Sequence, residues 1–389
     1  MSADPNLSRS RVFGLDVVRA TAIWGVLIAH GIPFLYTHLS QIGYLGHLGS
    51  VGVDLFFVLS GFLIGGILLR TGETIGTARG LGGFWLRRWI RTLPNYYVFV
   101  LVNLAFAVWV RRGPDGFEAS VATVATFTEN VFTAPRLLFF PESWTLAVEE
   151  WFYLVAPLVL ALLVRAGVRF REAYLLVGLL MLILPTLARI SAPDTLSWHG
   201  ALRLVVIFRV DSIACGFLAA YVAATRPKAW QRLALPGLAV GIVLSVAAYV
   251  SLFVLELETS RYARTFLFTQ FNVGFALLLP AASAWRARRE TLLVRAVRAC
   301  ALWSYSIYLC NWLYHLLIAL FLMERVQASA AFATASVLGF LVASLATGAL
   351  AYHLWEKRFT ALRNRIPWAR SGATAATRLV EDKSDATRG

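Results

Sequence analysis

The titratable chemistry of this chain sits inside apolar runs. The first grouping is Gly14-Leu15-Asp16-Val17-Val18-Arg19, followed eleven residues on by His30. On a helix Asp16 and Arg19 share a face and can pair. His30 returns to nearly that face, about 16 Å further along. One stripe then carries a cation at one end and, at the other, the side chain that titrates near neutrality. Asp16–Arg19 can be an interfacial ion pair and His30 an interhelical hydrogen-bond donor. An ionisable residue within an apolar span is costly enough, however, that function is the default reading for His30. His38, His47 and His199 fall between runs and are expected to be solvated.

Three further groupings follow. In Phe84-Trp85-Leu86-Arg87-Arg88-Trp89-Ile90-Arg91 the arginines Arg88 and Arg91 are three apart and point the same way. Either they anchor a helix at the inner interface, with Trp85 and Trp89 as its aromatic belt, or they hold a polyanion, since guanidinium groups match phosphate bidentately. Ser143-Trp144-Thr145-Leu146-Ala147-Val148-Glu149-Glu150 brings two carboxylates into an apolar run. Successive helix residues differ by about 100°, so one at most faces the bundle squarely. Glu149 is expected inward and Glu150 nearer the rim. Arg209-Val210-Asp211 is a second charged cluster in an apolar run, with a structural ion pair to other helices at least as good a reading as a catalytic one. Ser60, in Ser60-Gly61-Phe62, offers a hydroxyl with nothing nearby to activate it. Gly61-Phe62-Leu63-Ile64-Gly65 reads as a helix-packing motif.

The elements that must position these residues follow from composition. Of 389 residues 59% are hydrophobic and only 15% charged, and the mean hydropathy is +0.68. A soluble globule of this size needs more charge than that. The apolar residues come in runs of about twenty. Spans are predicted at 13–35, 51–69, 93–110, 146–164, 172–188, 204–224, 235–255, 266–285, 301–322 and 331–355. The fold class is therefore all-α, a polytopic bundle of about ten transmembrane helices, in one membrane domain over 13–359. Residues 1–12 are read as a cytoplasmic segment and 360–389 as a cytoplasmic, disordered tail.

The net charge of +15 would suggest nucleic acid only if it formed a patch on a soluble fold. Here it alternates between the two sides. With the N-terminus inside, the inner segments hold 27 Lys and Arg (Arg19 included) against 8 in the outer ones. That asymmetry places both termini in the cytoplasm. The first apolar run is too long for a signal peptide and lacks a small-residue cleavage site, so it is expected to stay as a helix. Cys215, Cys300 and Cys310 lie in or beside spans and suit neither a disulfide framework nor a metal centre. No Walker loop, dinucleotide fingerprint, HExxH or GxSxG occurs.

Seven stretches in order resemble the acyltransferase-3 family of bacterial membrane O-acyltransferases. They are LDVVRATAIWGVLIAH (15–30), VGVDLFFVLSGFLIGGIL (51–68), FWLRRWIRTLP (84–94), SWTLAVEEWFYL (143–154), FRVDSIACGFLAA (208–220), SYSIYLCNWLYH (304–315) and YHLWEKRF (352–359). The resemblance implies a multi-pass protein of the bacterial cytoplasmic membrane. It implies transfer of an acyl group, usually acetyl, from cytoplasmic acyl-CoA to a hydroxyl of a cell-envelope or exported glycan, with no metal. The family's helix-one histidine falls on His30 and its helix-one arginine on Arg19. Its RxxR arginines fall on Arg88 and Arg91, its SGF serine on Ser60, and its glutamates on Glu149 and Glu356. The chain departs from the family at Cys310-Asn311, where many members carry a histidine, so no proton-transfer role is assigned there.

On that resemblance, arginines at the inner mouth (Arg88, Arg91 and Arg19) would hold the phosphates of acyl-CoA. The pantetheine arm would run along the helix-one stripe, and neutral His30 would act as general base, with Glu149 orienting it. A covalent acyl-histidine relay is the other route. Outside catalysis, a transporter or flippase of a lipid-linked or small polar solute is the alternative, though the repeats and paired broken helices expected of one are missing. A lipid-linked-sugar glycosyltransferase should show acidic residues in its first outer loop, and residues 36–50 contain none. No esterase-like domain follows the spans, so the helical domain is expected to act alone or with a separate partner.

Overall fold

The structure, a computed structural model, describes residues 12–110, 117–136 and 139–365. Nearly all of the expected N-terminal segment 1–12, and most of the tail 360–389, lie outside the described residues. Regular structure among the described residues is helical throughout. The long helices are α1 (Phe13–Gly31), α2 (Leu48–Thr71), α3 (Ala78–Trp109), α4 (Ser143–Arg165) and α5 (Phe170–Ile190). They continue as α6 (Val210–Thr225), α7 (Ala234–Val254), α8 (Leu267–Ala284), α9 (Leu292–Phe321) and α10 (Ala330–Ala351). All but α6 are long and apolar enough to cross a membrane, which makes nine among the described residues. The segment after α10 and the start of α1 lie at one end of the bundle, where Glu356 is within electrostatic reach of Arg19; it is here called the terminal end.

The outward faces fit a lipid solvent. Leu179, Leu180, Ile183, Leu184 and Leu187 of α5 and Val243, Val246 and Val250 of α7 are all exposed. Continuous apolar stripes of this kind mark a membrane-facing surface. Prolines inside α3, α4, α5 and α8 are tolerated because neighbouring helices re-satisfy the freed backbone groups.

The sixth span differs from its prediction. Its helix starts at Val210, not near 204, and is only sixteen residues long. Residues 198–208 before it form a π-turn and a 3-10 turn, so Arg209 caps the helix and does not lie within it. Their backbone is paid for by buried side chains. Asn130 donates to the Leu204 carbonyl at 2.6 Å and accepts through its own backbone from the Val206 amide at 2.8 Å. Arg189 donates to the Phe208 carbonyl, and Arg209 to the Arg203 carbonyl at 3.3 Å. Irregular backbone at this depth persists only when protein supplies such partners.

The helix pair α2–α6 packs most extensively of all. Its backbones touch through glycine: a Cβ on Gly61 would strike the Ile213 carbonyl, and one on Gly216 the Val58 carbonyl. Gly61-xxx-Gly65 is thus a packing motif. Gly61→Ala should lower the thermal unfolding midpoint of the detergent-solubilised protein, at a cost of about 1–3 kcal/mol from overpacking. Gly66→Ala is the control. Its added carbon would meet only the Arg70 side chain at 3.6 Å, so its midpoint should stay near the parent's.

Candidate active site

His30 is the last residue but one of α1, half-buried, and α9 supplies its surroundings. Its Nδ1 lies 2.5 Å from Oδ1 of Asn311. The amide orientation follows from its other half, because Nδ2 of Asn311 donates to the carbonyls of Tyr308 at 2.7 Å and Ile307 at 3.3 Å. Oδ1 can therefore only accept, and His30 must donate from Nδ1. A neutral ring so held keeps its lone pair on Nε2, which has no hydrogen-bond partner among the described residues. Trp312 meets the ring edge-on, with centroids 4.9 Å apart. His315, one turn beyond Asn311, stacks on Trp312 at 4.4 Å and its Nδ1 donates to the His30 carbonyl at 2.7 Å. Glu142, just before α4, is buried near Tyr308 and Trp312. Burial pushes its carboxyl well above the usual carboxylate range.

A second network lies between α2, α3 and α4. Arg88 donates to Glu149 Oε2 at 3.1 Å and its guanidinium lies 4.0 Å over the Tyr153 ring. The Tyr153 hydroxyl donates to the same Glu149 oxygen at 3.0 Å. Its single proton is thereby committed, so in the contact between Ser60 and Tyr153 the serine must be the donor. A hydroxyl giving away its proton to a phenol is not an activated nucleophile. Glu150, expected nearer the rim, is the more buried of the two glutamates: its side chain is 10% exposed against 22% for Glu149. It lies 3.4 Å from the Thr92 hydroxyl and 4.0 Å from Arg88. Both carboxylates thus turn toward α3. Glu149 makes no hydrogen bond or ion pair with His30 among the described residues; the side chain bonded to the ring is Asn311.

The third grouping is at the terminal end. A π-turn, Tyr352–Glu356, widens the helix after α10 and brings buried Glu356 inward. Glu356 accepts from the Ser306 hydroxyl at 2.8 Å, and Ser306 from Asn95 at 3.0 Å. Arg91 and Arg19 lie within electrostatic reach of Glu356, so α1, α3 and the last helix converge there. Asp16 is buried on the same end of α1.

Arg209 and Asp211 do not form one cluster. Arg209 pairs with Asp54 of α2 and donates to Ser212 at 3.2 Å. Asp211 accepts from Arg189 of α5 at 2.8 Å, with both side chains fully buried. These are structural pairs that tie α2, α5 and α6 together. Asp54, Arg189 and Tyr153 were not singled out from sequence, and Asn311 was noted only as a departure from the family pattern. Tyr153 could have been, four residues after Glu149 on one face, and so could Asn311, an amide inside an apolar run.

The pairing of Arg88 has a direct consequence. Arg88→Ala should strip buried Glu150 and half-buried Glu149 of their cation and cost roughly 3–5 kcal/mol, seen as loss of folded protein in detergent. The double variant Arg88→Met/Glu149→Gln should recover most of it. If Arg88→Ala melts with the parent, the pair contributes nothing to the fold.

Comparison with known proteins identifies the family. No solved structure matches the chain. A peptidoglycan O-acetyltransferase, OatA, of Listeria monocytogenes is 30% identical over 178 residues, 42% of this chain and 26% of that protein. An O-acetyltransferase, OatA, of Staphylococcus aureus is 32% identical over 163 residues, 39% of this chain and 25% of that protein. The matched stretch thus spans about a quarter of the length of these curated relatives. The family model described as an acyltransferase domain matches residues 12–356, which include every residue placed above. The chain belongs to the acyltransferase-3 family.

Proposed function

We propose that the protein is a membrane O-acyltransferase that moves an acyl group, acetyl in the first instance, from cytoplasmic acyl-CoA to a hydroxyl of a cell-envelope or exported glycan. The observation that carries this reading is His30, held by Asn311 through Nδ1 with Nε2 open. Peptidoglycan is the acceptor in the printed name of the Listeria relative, and a glycan of the same envelope is the acceptor proposed here.

Both termini are placed in the cytoplasm of a bacterial cell by the charge asymmetry. The terminal end then faces acyl-CoA, with Arg19 and Arg91 receiving its phosphates. Arg88 acts differently from its expected phosphate contact: it holds Glu149 and Tyr153. The acyl-pantetheine arm extends along α1 toward His30, about 16 Å from Arg19 along the helix. There the acceptor oxygen attacks the thioester carbonyl as its proton passes to His30 Nε2. The tetrahedral adduct collapses, the C–S bond breaks, and CoA leaves as the thiol, carrying that proton from Nε2. Asn311 keeps the ring in the tautomer that can accept.

Topology fusions at residue 389 and within 71–83 should report the cytoplasm, and fusions within 111–140 the outside. A C-terminus on the outer side would reverse the donor and acceptor ends. His30→Ala should lower transfer by about 10²–10⁴-fold while the protein still inserts and binds CoA. His30→Gln keeps a polar group without a base and should be as inactive. Near-parent turnover in the glutamine variant would make His30 a structural donor. Mass spectrometry of envelope glycans with and without the gene identifies the acceptor, by loss of one acetyl mass per site.

A further inference from the structure

The most buried arginines of the bundle are consumed by the fold. Arg189 pairs with Asp211, Arg209 with Asp54, and Arg88 with Glu149. Arg264 is spent on the carbonyls of Pro193, Leu196 and Glu258. Arg203 differs. Its side chain makes no hydrogen bond or ion pair among the described residues, and its guanidinium lies 5.8 Å from the centroid of the Trp144 ring. It is nonetheless partly buried, in the irregular stretch before α6. A cation partly withdrawn from water with no carboxylate of its own leaves its charge uncompensated.

The charge around it does not cancel. Asp54 is the carboxylate within reach, and Arg209 already holds it, so two arginines share one acid. The groups facing Arg203 electrostatically are Arg209, Asp54, Tyr308, His30, His47 and His199. All of them but Asp54 are neutral or cationic at neutral pH or below. Arg203 therefore leaves a positive excess at the end of the bundle away from the terminal end, within reach of the His30 ring. An anion is what is missing.

We propose that Arg203 is the recognition residue of the acceptor site, binding a carboxylate or phosphate on the acceptor glycan next to the hydroxyl that is acylated. The assignment rests on the acyltransferase reading and adds the chemical class of the acceptor: an anionic sugar. The guanidinium fork orients the acceptor, and its distance from Arg19 and Arg91, at the opposite end, keeps the two anion sites separate.

The test is a binding measurement on the full chain in lipid nanodiscs without acyl-CoA, so a failure of transfer would count against the acyltransferase reading and not against this one. Three oligosaccharide probes are compared: one ending in glucuronic acid, its carboxyl-reduced neutral form, and one ending in a sugar phosphate. The parent should prefer an anionic probe to the neutral one by about tenfold or more, the worth of a charge-assisted contact. The better anionic probe distinguishes carboxylate from phosphate. Arg203→Gln should erase the preference, and Arg203→Lys should keep part of it. Equal binding of charged and neutral probes by the parent, no binding of any, or a preference that survives Arg203→Gln would each overturn the proposal. So would a rise in KM for acyl-CoA in Arg203→Gln with the probe ratio unchanged, since that places Arg203 on the donor side. The parent's probe ratio decides even if the glutamine variant does not fold.

Discussion

A polar group that enters hydrocarbon without a partner costs several kcal/mol, and the bundle is arranged around that cost. Three of the arginines carried into it are each met by a carboxylate from another helix. Arg209 meets Asp54, Arg189 meets Asp211 and Arg88 meets Glu149, so α2, α5 and α6 are cross-linked on one side and α3 and α4 on the other. Removing either member of a pair leaves the other stranded, which is why these residues are structural even where they belong to recognisable motifs. The same rule makes His30 and Arg203 conspicuous, because each keeps a strong polar function that the fold does not use up.

The long helices were legible from sequence, and for the same reason. Lipid demands unbroken apolar runs, so α1 to α5 and α7 to α10 fall on their hydropathy spans, though α3 and α9 begin at Ala78 and Leu292, well before the predicted 93 and 301. The start of α6 was not legible. Residues 198–208 are apolar enough for a helix, and only buried Asn130, Arg189 and Arg209 make a non-helical path affordable. Those partners come from distant segments, and a local pattern cannot contain them. Glu149 and Glu150 show the same limit. Helical phase says they diverge by about 100°, but where α3 lies relative to α4 decides that both reach Arg88.

The site was legible in its base and not in what orients it. His30 stands out as an imidazole in an apolar span, while Asn311 looks like a departure from the family pattern. The amide is a neutral acceptor. It fixes the tautomer as a carboxylate would, without adding a negative charge that would draw a proton onto the ring at rest. In the mechanism proposed, the base is thus held neutral in a half-buried place where proton transfer is set up in advance.

The central claim is that His30 is a neutral imidazole with its proton on Nδ1. Nitrogen NMR of histidine-labelled protein in nanodiscs measures this directly, with His30→Gln assigning the resonance. The account predicts a protonated Nδ1 and a bare Nε2 at neutral pH, and loss of that single tautomer in Asn311→Leu. A proton on Nε2, or a His30 spectrum that Asn311→Leu leaves unchanged, would contradict it.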